Sequence, residues 1–268
     1  MTSPKHHVKS IAKTFDILQA LERSEHAGVT ELSQQTGIAK SSVYKYLDTL
    51  RALGFVTKTE GQYSLSLRFF QLSNRIRDRY DVFHVARPKL ETLAEKTGET
   101  VSLVVEEDGE AVYLFHTHLE DDTHSAVEVG GRLPLHVSAS GKALLSYRPL
   151  EEVEALLASA EFDVDHQSFL AELEKARNQR IVIDRDATDG LEYSAGLLEG
   201  HRHTIGQRRV DERSPSVAVP IRDTEDYAIA AIEVIGSEHS LDSRRLEEDI
   251  APLLVSAGKS IEIELLRR

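Results

Sequence analysis

The chain has 268 residues, 40% of them apolar and none of them cysteine, enough for two ordinary cores and without disulfides, thiolate metal sites or a cysteine nucleophile. Its formal net charge of −13 excludes a protein coated in basic surface. No apolar run approaches the roughly 20 residues of a membrane-spanning helix, and the start MTSPKHHVKSIAKTFDIL has no apolar signal core, so a cytoplasmic protein without membrane contact is expected.

Residues 5–24 read as a first helix beginning near Lys9 or Ser10. Val8, Ile11, Phe15, Leu18 and Leu21 recur every three or four positions, predicting one buried stripe. Glu25–Gly28 connects it to TELSQQT, a short helix with Leu32 inward and Thr30 placed to cap it. Gly37 allows a sharp corner, and a helix from about Lys40 to Leu53 follows. Val43, Leu47 and Leu50 form its buried face; Lys40, Ser41, Ser42, Tyr44, Lys45 and Asp48 form the other. Gly54 stops it. Phe55–Lys58 and Gln62–Ser64 then read as two strands turning at Glu60-Gly61. Two helices about a tight corner, followed at once by a small hairpin, make a winged helix-turn-helix. The hydroxyls and lysines near the start of the second helix suit phosphates and base edges in a major groove.

A helix from Arg68 to Tyr80 follows, carrying Leu67, Phe70, Ile76 and Tyr80 along it and Arg75, Arg77 and Arg79 as solvated charges. The next helix has Pro88 near its first turn, a buried face of Leu90, Leu93 and Ala94, and an end at Gly98. From Thr100 the period changes to two. VSLVVEEDGEAVYLFHTHL predicts two antiparallel strands turning at Asp108-Gly109. Ala126–Val129 is a further candidate strand, and Leu135–Tyr147 a loop feeding the short helix SGKALLSY. Leu150–Ala158 and Ser168–Gln179 read as helices, Ile181–Ile183, Ser216–Ile221 and Tyr227–Gly236 as strands. Leu241–Leu266 reads as a closing helix with Ile250, Leu254, Ala257, Ile261 and Leu265 inside. Helices mixed with hairpin-joined strands indicate an α+β body with an antiparallel sheet.

Charge divides along the same line. Residues 1–75 hold ten Lys and Arg against six Asp and Glu, a net of +4, which leaves −17 for the rest. A mildly basic head on a strongly acidic body fits duplex contact confined to the head. The acidity, with more arginine than lysine, also resembles proteins of salt-loving organisms.

SIAKTFDILQAL, LSQQTGIAKSSVYKYLDTLRALGFV and YSLSLRFFQL in the head resemble the IclR family of bacterial and archaeal transcription regulators. So do TGETVSLVV, GGRLPLHVSASGKALLS, SVAVPIRD and AIAAIEVIG in the body, in matching order, and RLPLHVSASGKALL is the most specific of them. The resemblance implies a winged helix-turn-helix at 1–67, a linker helix at 68–81 and a GAF-like effector and oligomerisation domain at 82–268. It also implies a homodimer or tetramer on a palindromic double-stranded operator, a small-molecule effector and no cofactor. DNA contact is expected from Thr30, Lys40, Ser41, Ser42, Tyr44 and Lys45, with Lys58, Thr59 and Gln62 in the wing. The family's effector pocket maps onto Ala139, Ser140, Gly141, Asp184, Ser216, Glu233 and Ile235. Ala39 stands where the family often has proline, and Glu233 and Ile235 where small hydroxyl residues are common. A buried Glu233 would repel an anionic effector or need a partner of its own. Residues 199–215 resemble an insertion.

Other readings of the same residues remain open. His136, Ser138 and Ser140 suggest a hydrolytic triad, but the strand–GxSxG–helix context of one is missing; Ser140 reads either as a ligand contact or as a helix cap. His116 and His118, with His124, His201 and His203, carry the alternative of a metal-sensing regulator. Lys142 lacks the glycine pattern of a phosphate loop and reads as a surface or dimer-contact lysine. A metabolite-binding protein or enzyme with a helical interaction module in place of a DNA-binding head is the rival from another class.

Overall fold

The computed structural model describes residues 8–117, 128–159, 165–184, 195–198, 201–203, 215–236, 241 and 244–268. The chain divides into two compact units, residues 2–79 and 80–268.

The head contains α1 (Lys9–Ser24), α2 (Val29–Thr36), α3 (Lys40–Ala52), a hairpin of β1 (Val56–Thr59) and β2 (Gln62–Leu65), and α4 (Arg68–Arg77). Ile17 and Leu21 of α1, Leu32 of α2, Val43, Leu47 and Leu50 of α3, and Val56 and Tyr63 of the hairpin close one core. A fully buried Leu or Ile contributes about 1.5–3 kcal/mol relative to exposure, so these side chains hold the three helices together. Gly37 takes the left-handed conformation at φ 69° and ends α2. Ala27 exchanges both backbone hydrogen bonds with Tyr63, at 2.9 and 3.0 Å, tying the α1–α2 connection to the wing. Glu60 and Gly61 both have positive φ, the geometry of a tight two-residue hairpin turn.

Three expectations for the head fail. Only Leu21 of the five-residue α1 stripe is fully buried, while Val8, Ile11 and Phe15 are more than half exposed. The core of so small a unit ends before the first turns of α1, and Ile17 and Ala20 supply the inner face instead. Thr30 does not cap α2: the helix starts at Val29 behind Gly28, and Thr30 is exposed in its first turn. The helix after the wing ends at Arg77, three residues before Tyr80; Phe70 and Ile76 on it and Leu67 just before it are exposed, Leu67 at 85%.

The body is built on a six-stranded antiparallel sheet in the order β5-β4-β3-β10-β9-β6. Its strands are β3 (Thr100–Glu107), β4 (Glu110–His116), β5 (Arg132–Pro134), β6 (Val182–Asp184), β9 (Ser216–Arg222) and β10 (Ala228–Ile235). A separate two-stranded ribbon, β7 (Ala195–Leu198) with β8 (His201–His203), completes the set. Helices cover both faces. On one, α5 (Asp81–Thr97) and α9 (Ala251–Leu265) bury Val101, Leu103, Val105, Val217, Val219, Ile232 and Val234. On the other lie α6 (Ala139–Leu145), α7 (Leu150–Ser159) and α8 (His166–Gln179), over Val104, Tyr113, Ala218 and Ala231.

The body departs from expectation in several places. The central strands are buried on both sides, so β3 is buried from Thr100 to Val105 and shows no half-exposed alternation. Pro88 is the eighth residue of α5, because the helix begins at Asp81 immediately after Tyr80. Its missing N–H falls on the exposed side of the helix. The closing helix starts with a π-helical stretch at Arg245–Ile250 before becoming α-helical. The strand expected at Ile181–Ile183 spans Val182–Asp184 and lies at the edge of the sheet. The candidate strand at 126–129 is not formed where it is described: Glu128 and Val129 lead into a turn, with Gly131 N–H bonded to the Glu128 carbonyl at 2.8 Å. Residues 126 and 127, His118 and His124, and most of the 199–215 segment lie outside the described residues.

Candidate functional sites

The first site is the outer face of α3. Its inner residues pin the helix to the head, and the opposite positions Lys40, Ser41, Tyr44, Lys45 and Asp48 are exposed with Ser42 half-buried. The cap residue Ala39 offers no side-chain acceptor to the first turn, which leaves that end of the helix fit for an outside acceptor such as a phosphate oxygen. Asp48 reaches only Arg51, at 3.7 Å in an exposed pair, so Lys40 and Lys45 dominate the charge of this face. In the wing Lys58, Thr59 and Gln62 are exposed. The Lys58 ammonium lies 5.0 Å from the centre of the Tyr63 ring, and the Gln62 amide folds against Gly28 at the start of α2. Thr30 is exposed on α2.

The second site is buried between α6 and the sheet. Residues 102, 104 and 113, together with 216, 218, 231 and 233, point to the α6 side of their strands, because their neighbours fill the other core. Glu233 sits in the central strand, 1% exposed, opposite Ser102 on β3 and Ala218 on β9. Small neighbours let α6 come down over it. One carboxylate oxygen of Glu233, Oε2, accepts from the Tyr113 hydroxyl and the Ser140 hydroxyl, both at 3.0 Å; Oε1 accepts from the Ser140 backbone N–H at 3.4 Å. Burial pushes the Glu233 carboxyl above the usual carboxylate range, opposed by the donors on Ser140, Tyr113 and Ser216. Burial and the Glu233 charge together push the Tyr113 hydroxyl well up. Beside them His116 Nδ1 lies 2.7 Å from the Ser102 hydroxyl, and its ring stacks on Tyr113 at 5.2 Å.

The expected pocket residues are thus only partly united. Ser140, Ser216 and Glu233 converge. Ala139 is packed into the core and contributes no polar group. Gly141 has a packing reason for being glycine: an added Cβ would stand 2.1 Å from the Leu135 carbonyl oxygen. Asp184, Ser216 and Ile235 lie side by side across β6, β9 and β10, but Asp184 bonds Lys142 at 3.0 Å. Ser138, not Ser140, caps α6, accepting from Gly141 N–H at 3.0 Å. Lys142 is no surface lysine: it is 14% exposed and also bonds Glu172, at 2.9 Å. Burial alone would lower it, but Asp184 and Glu172 outweigh burial and raise it. Burial, and then the Lys142 charge, push the nearby His136 down. Sequence reasoning missed Tyr113 and Ser102. The one available signal was a tyrosine in a strand with no wet face, whose hydroxyl must find a buried partner. Among the described residues no group of three acidic or histidine side chains is arranged to hold a metal ion.

Comparison with known proteins decides the family. Residues 10–60 match the IclR helix-turn-helix domain and residues 75–191 match the bacterial transcriptional regulator IclR C-terminal domain. The HTH-type transcriptional regulator KdgR of Dickeya chrysanthemi is 37% identical over 245 residues, covering 90% of this chain and 73% of that protein. This chain belongs to the IclR family. Two solved structures share the fold of this IclR-family protein. The Thermotoga maritima IclR superposes with a TM-score of 0.79 at 22% identity, covering 97% of this chain and 99% of that one. An IclR homolog from Microbacterium hydrocarbonoxydans, complexed with 4-hydroxybenzoate, gives 0.72 at 21% identity, covering 97% and 100%. The chain is accordingly a DNA-binding transcription regulator with a helix-turn-helix head and an effector-binding body, and its relatives are transcription regulators.

Proposed function

We propose that α3 enters the major groove of an operator, with Ser41, Ser42, Tyr44 and Lys45 nearest bases and phosphates, Lys40 on the backbone, and Lys58, Thr59 and Gln62 of the wing on the flanking backbone or minor groove. Thr30 adds a backbone contact from α2. The observation that carries this is the division of α3: Val43, Leu47 and Leu50 are buried while every polar position between them is exposed or half-exposed. Two heads read two half-sites, and the apolar residues that one chain leaves exposed, Val8, Ile11 and Phe15 on α1 and Leu67, Phe70 and Ile76 beside and on α4, support a homodimer or a tetramer of dimers. The body senses a small metabolite near Ser140, Ser216 and Glu233, and binding there shifts the equilibrium between arrangements of the subunits. The IclR homolog bound to 4-hydroxybenzoate supports a metabolite site in a body of this fold. The protein works in the cytoplasm and catalyses nothing; no helix among the described residues is long and apolar enough to cross a membrane.

Fluorescence anisotropy with the gene's own upstream duplex, titrated with salt, tests the reading. Specific binding with a steep negative salt dependence is expected; failure to bind any duplex in a broad sequence library would overturn it.

A further inference from the structure

The feature that the proposed mechanism leaves unused is the state of Glu233. A carboxylate taken out of water is costly unless paired with a cation. This one meets neutral donors: the hydroxyls of Tyr113 and Ser140, the Ser140 N–H, and the Ser216 side chain. Those donors converge from three separate pieces of chain, β4, α6 and β9, on one carboxyl group carried by β10. A set of neutral donors about a carboxyl with no water access is how a protein holds a small carboxylate ligand. Here the carboxylate arrives on the protein's own strand.

We propose that Glu233 is a built-in carboxylate ligand. It fills a cradle made by Tyr113 and Ser140, and a chain without it takes up a free small carboxylate in its place. The inference rests on the reading of the body as the sensing domain, and it narrows that reading. Free small monocarboxylates cannot signal through this cradle in the wild-type protein, because the position is already filled.

The chemistry sets the ligand. Shortening Glu233 to Ala keeps Cβ and removes the remaining methylene and the carboxyl, which together correspond to acetate. Formate is smaller than the space, and propionate has one carbon too many for a close-packed site. The ranking acetate, then formate, then propionate is therefore expected for Glu233→Ala. For Glu233→Ser, whose hydroxyl takes up part of the space, formate should lead.

The experiment is a thermal melt and a refolding titration of full-length wild type, Glu233→Ala and Glu233→Ser in sodium acetate, formate, propionate or chloride at equal ionic strength. At tenfold excess over its dissociation constant, acetate should raise the melting temperature of Glu233→Ala by about 3 °C or more beyond chloride. Wild type should show no such difference. Adding Ser140→Ala to Glu233→Ala should abolish the acetate effect. If Glu233→Ala does not fold in chloride, recovery of folded protein in acetate is the supporting outcome. Neither variant gaining from any carboxylate over chloride, in melting or in refolding yield, overturns the proposal, as does an equal gain in wild type. Wild-type DNA binding measured in the same buffers keeps the two readings apart. Its absence would count against the DNA-binding reading, while carboxylate capture by the variants is read from stability alone.

Discussion

The head and the body hold their functional residues in opposite ways. The head carries them on its outside, on α3, the wing and the start of α2, backed by a core that none of them enters. The body's polar residues are inside, drawn from β3, β4, α6, β9 and β10, and they double as core. The contrast teaches where function and stability can be separated. A polar residue on the head can be removed at little cost to folding, whereas almost any change at the buried cluster must perturb the sheet and α6 together.

The largest break should come at Gly141. Gly141→Ala sets a Cβ against the Leu135 carbonyl, within 2.1 Å, and overpacking of that severity should cost about 3 kcal/mol or more. In differential scanning calorimetry the body transition should fall while the head transition stays. Next comes Lys142→Met, which leaves Asp184 and Glu172 without the ammonium that both now bond. About 1–2 kcal/mol of body stability should be lost in a urea titration, less than for a fully buried pair because Glu172 is 43% exposed. Lys45→Ala probes the other side of the comparison. Folding should stay within about 0.5 kcal/mol of wild type, while affinity for all duplexes falls and the slope of log affinity on log salt shrinks by about one. An unchanged slope would remove Lys45 from the interface.

The smallest effect is a pH dependence. Burial raises the Glu233 carboxyl in the folded state, so this group's contribution to stability is greatest below the ordinary carboxylate range and is lost as pH rises through the raised value. Tyr113 and His116 face the same space, and Glu233→Gln leaves both in place. Comparing urea midpoints of wild type and Glu233→Gln across that interval, the difference should move in favour of the glutamine variant with rising pH. A difference that does not change with pH would show that the carboxyl titrates normally.

The head was readable because its signals are local. Val43, Leu47 and Leu50 lie on one helix, and Glu60-Gly61 is a turn in its own right. Where reading failed in the head, at Val8, Ile11 and Phe15, the periodicity was real but the core it was meant to join was too small to reach it. In the body, strand pairs joined by a tight turn were also legible, as at Asp108-Gly109. The cluster around Glu233 was not, because the partners of that residue lie 93 and 120 positions away, and no pattern along the chain says which strands become neighbours. The cap at Ser138 instead of Ser140 is a smaller case. Both serines suit a helix start, and the point where the helix begins decides between them: Ser138 stands extended just before α6, while Ser140 lies inside it and turns its hydroxyl to Glu233.

The strand order has a further consequence during synthesis. The head is complete once residue 79 has been made, but β3 has one neighbour missing until β10 arrives, and β10 ends only at Ile235. At roughly 5–20 residues per second of translation, a finished reading head emerges on the order of 10–30 seconds before the domain that governs it can close. During that interval the nascent chain has its helix-turn-helix but not yet the body in which an effector would be sensed.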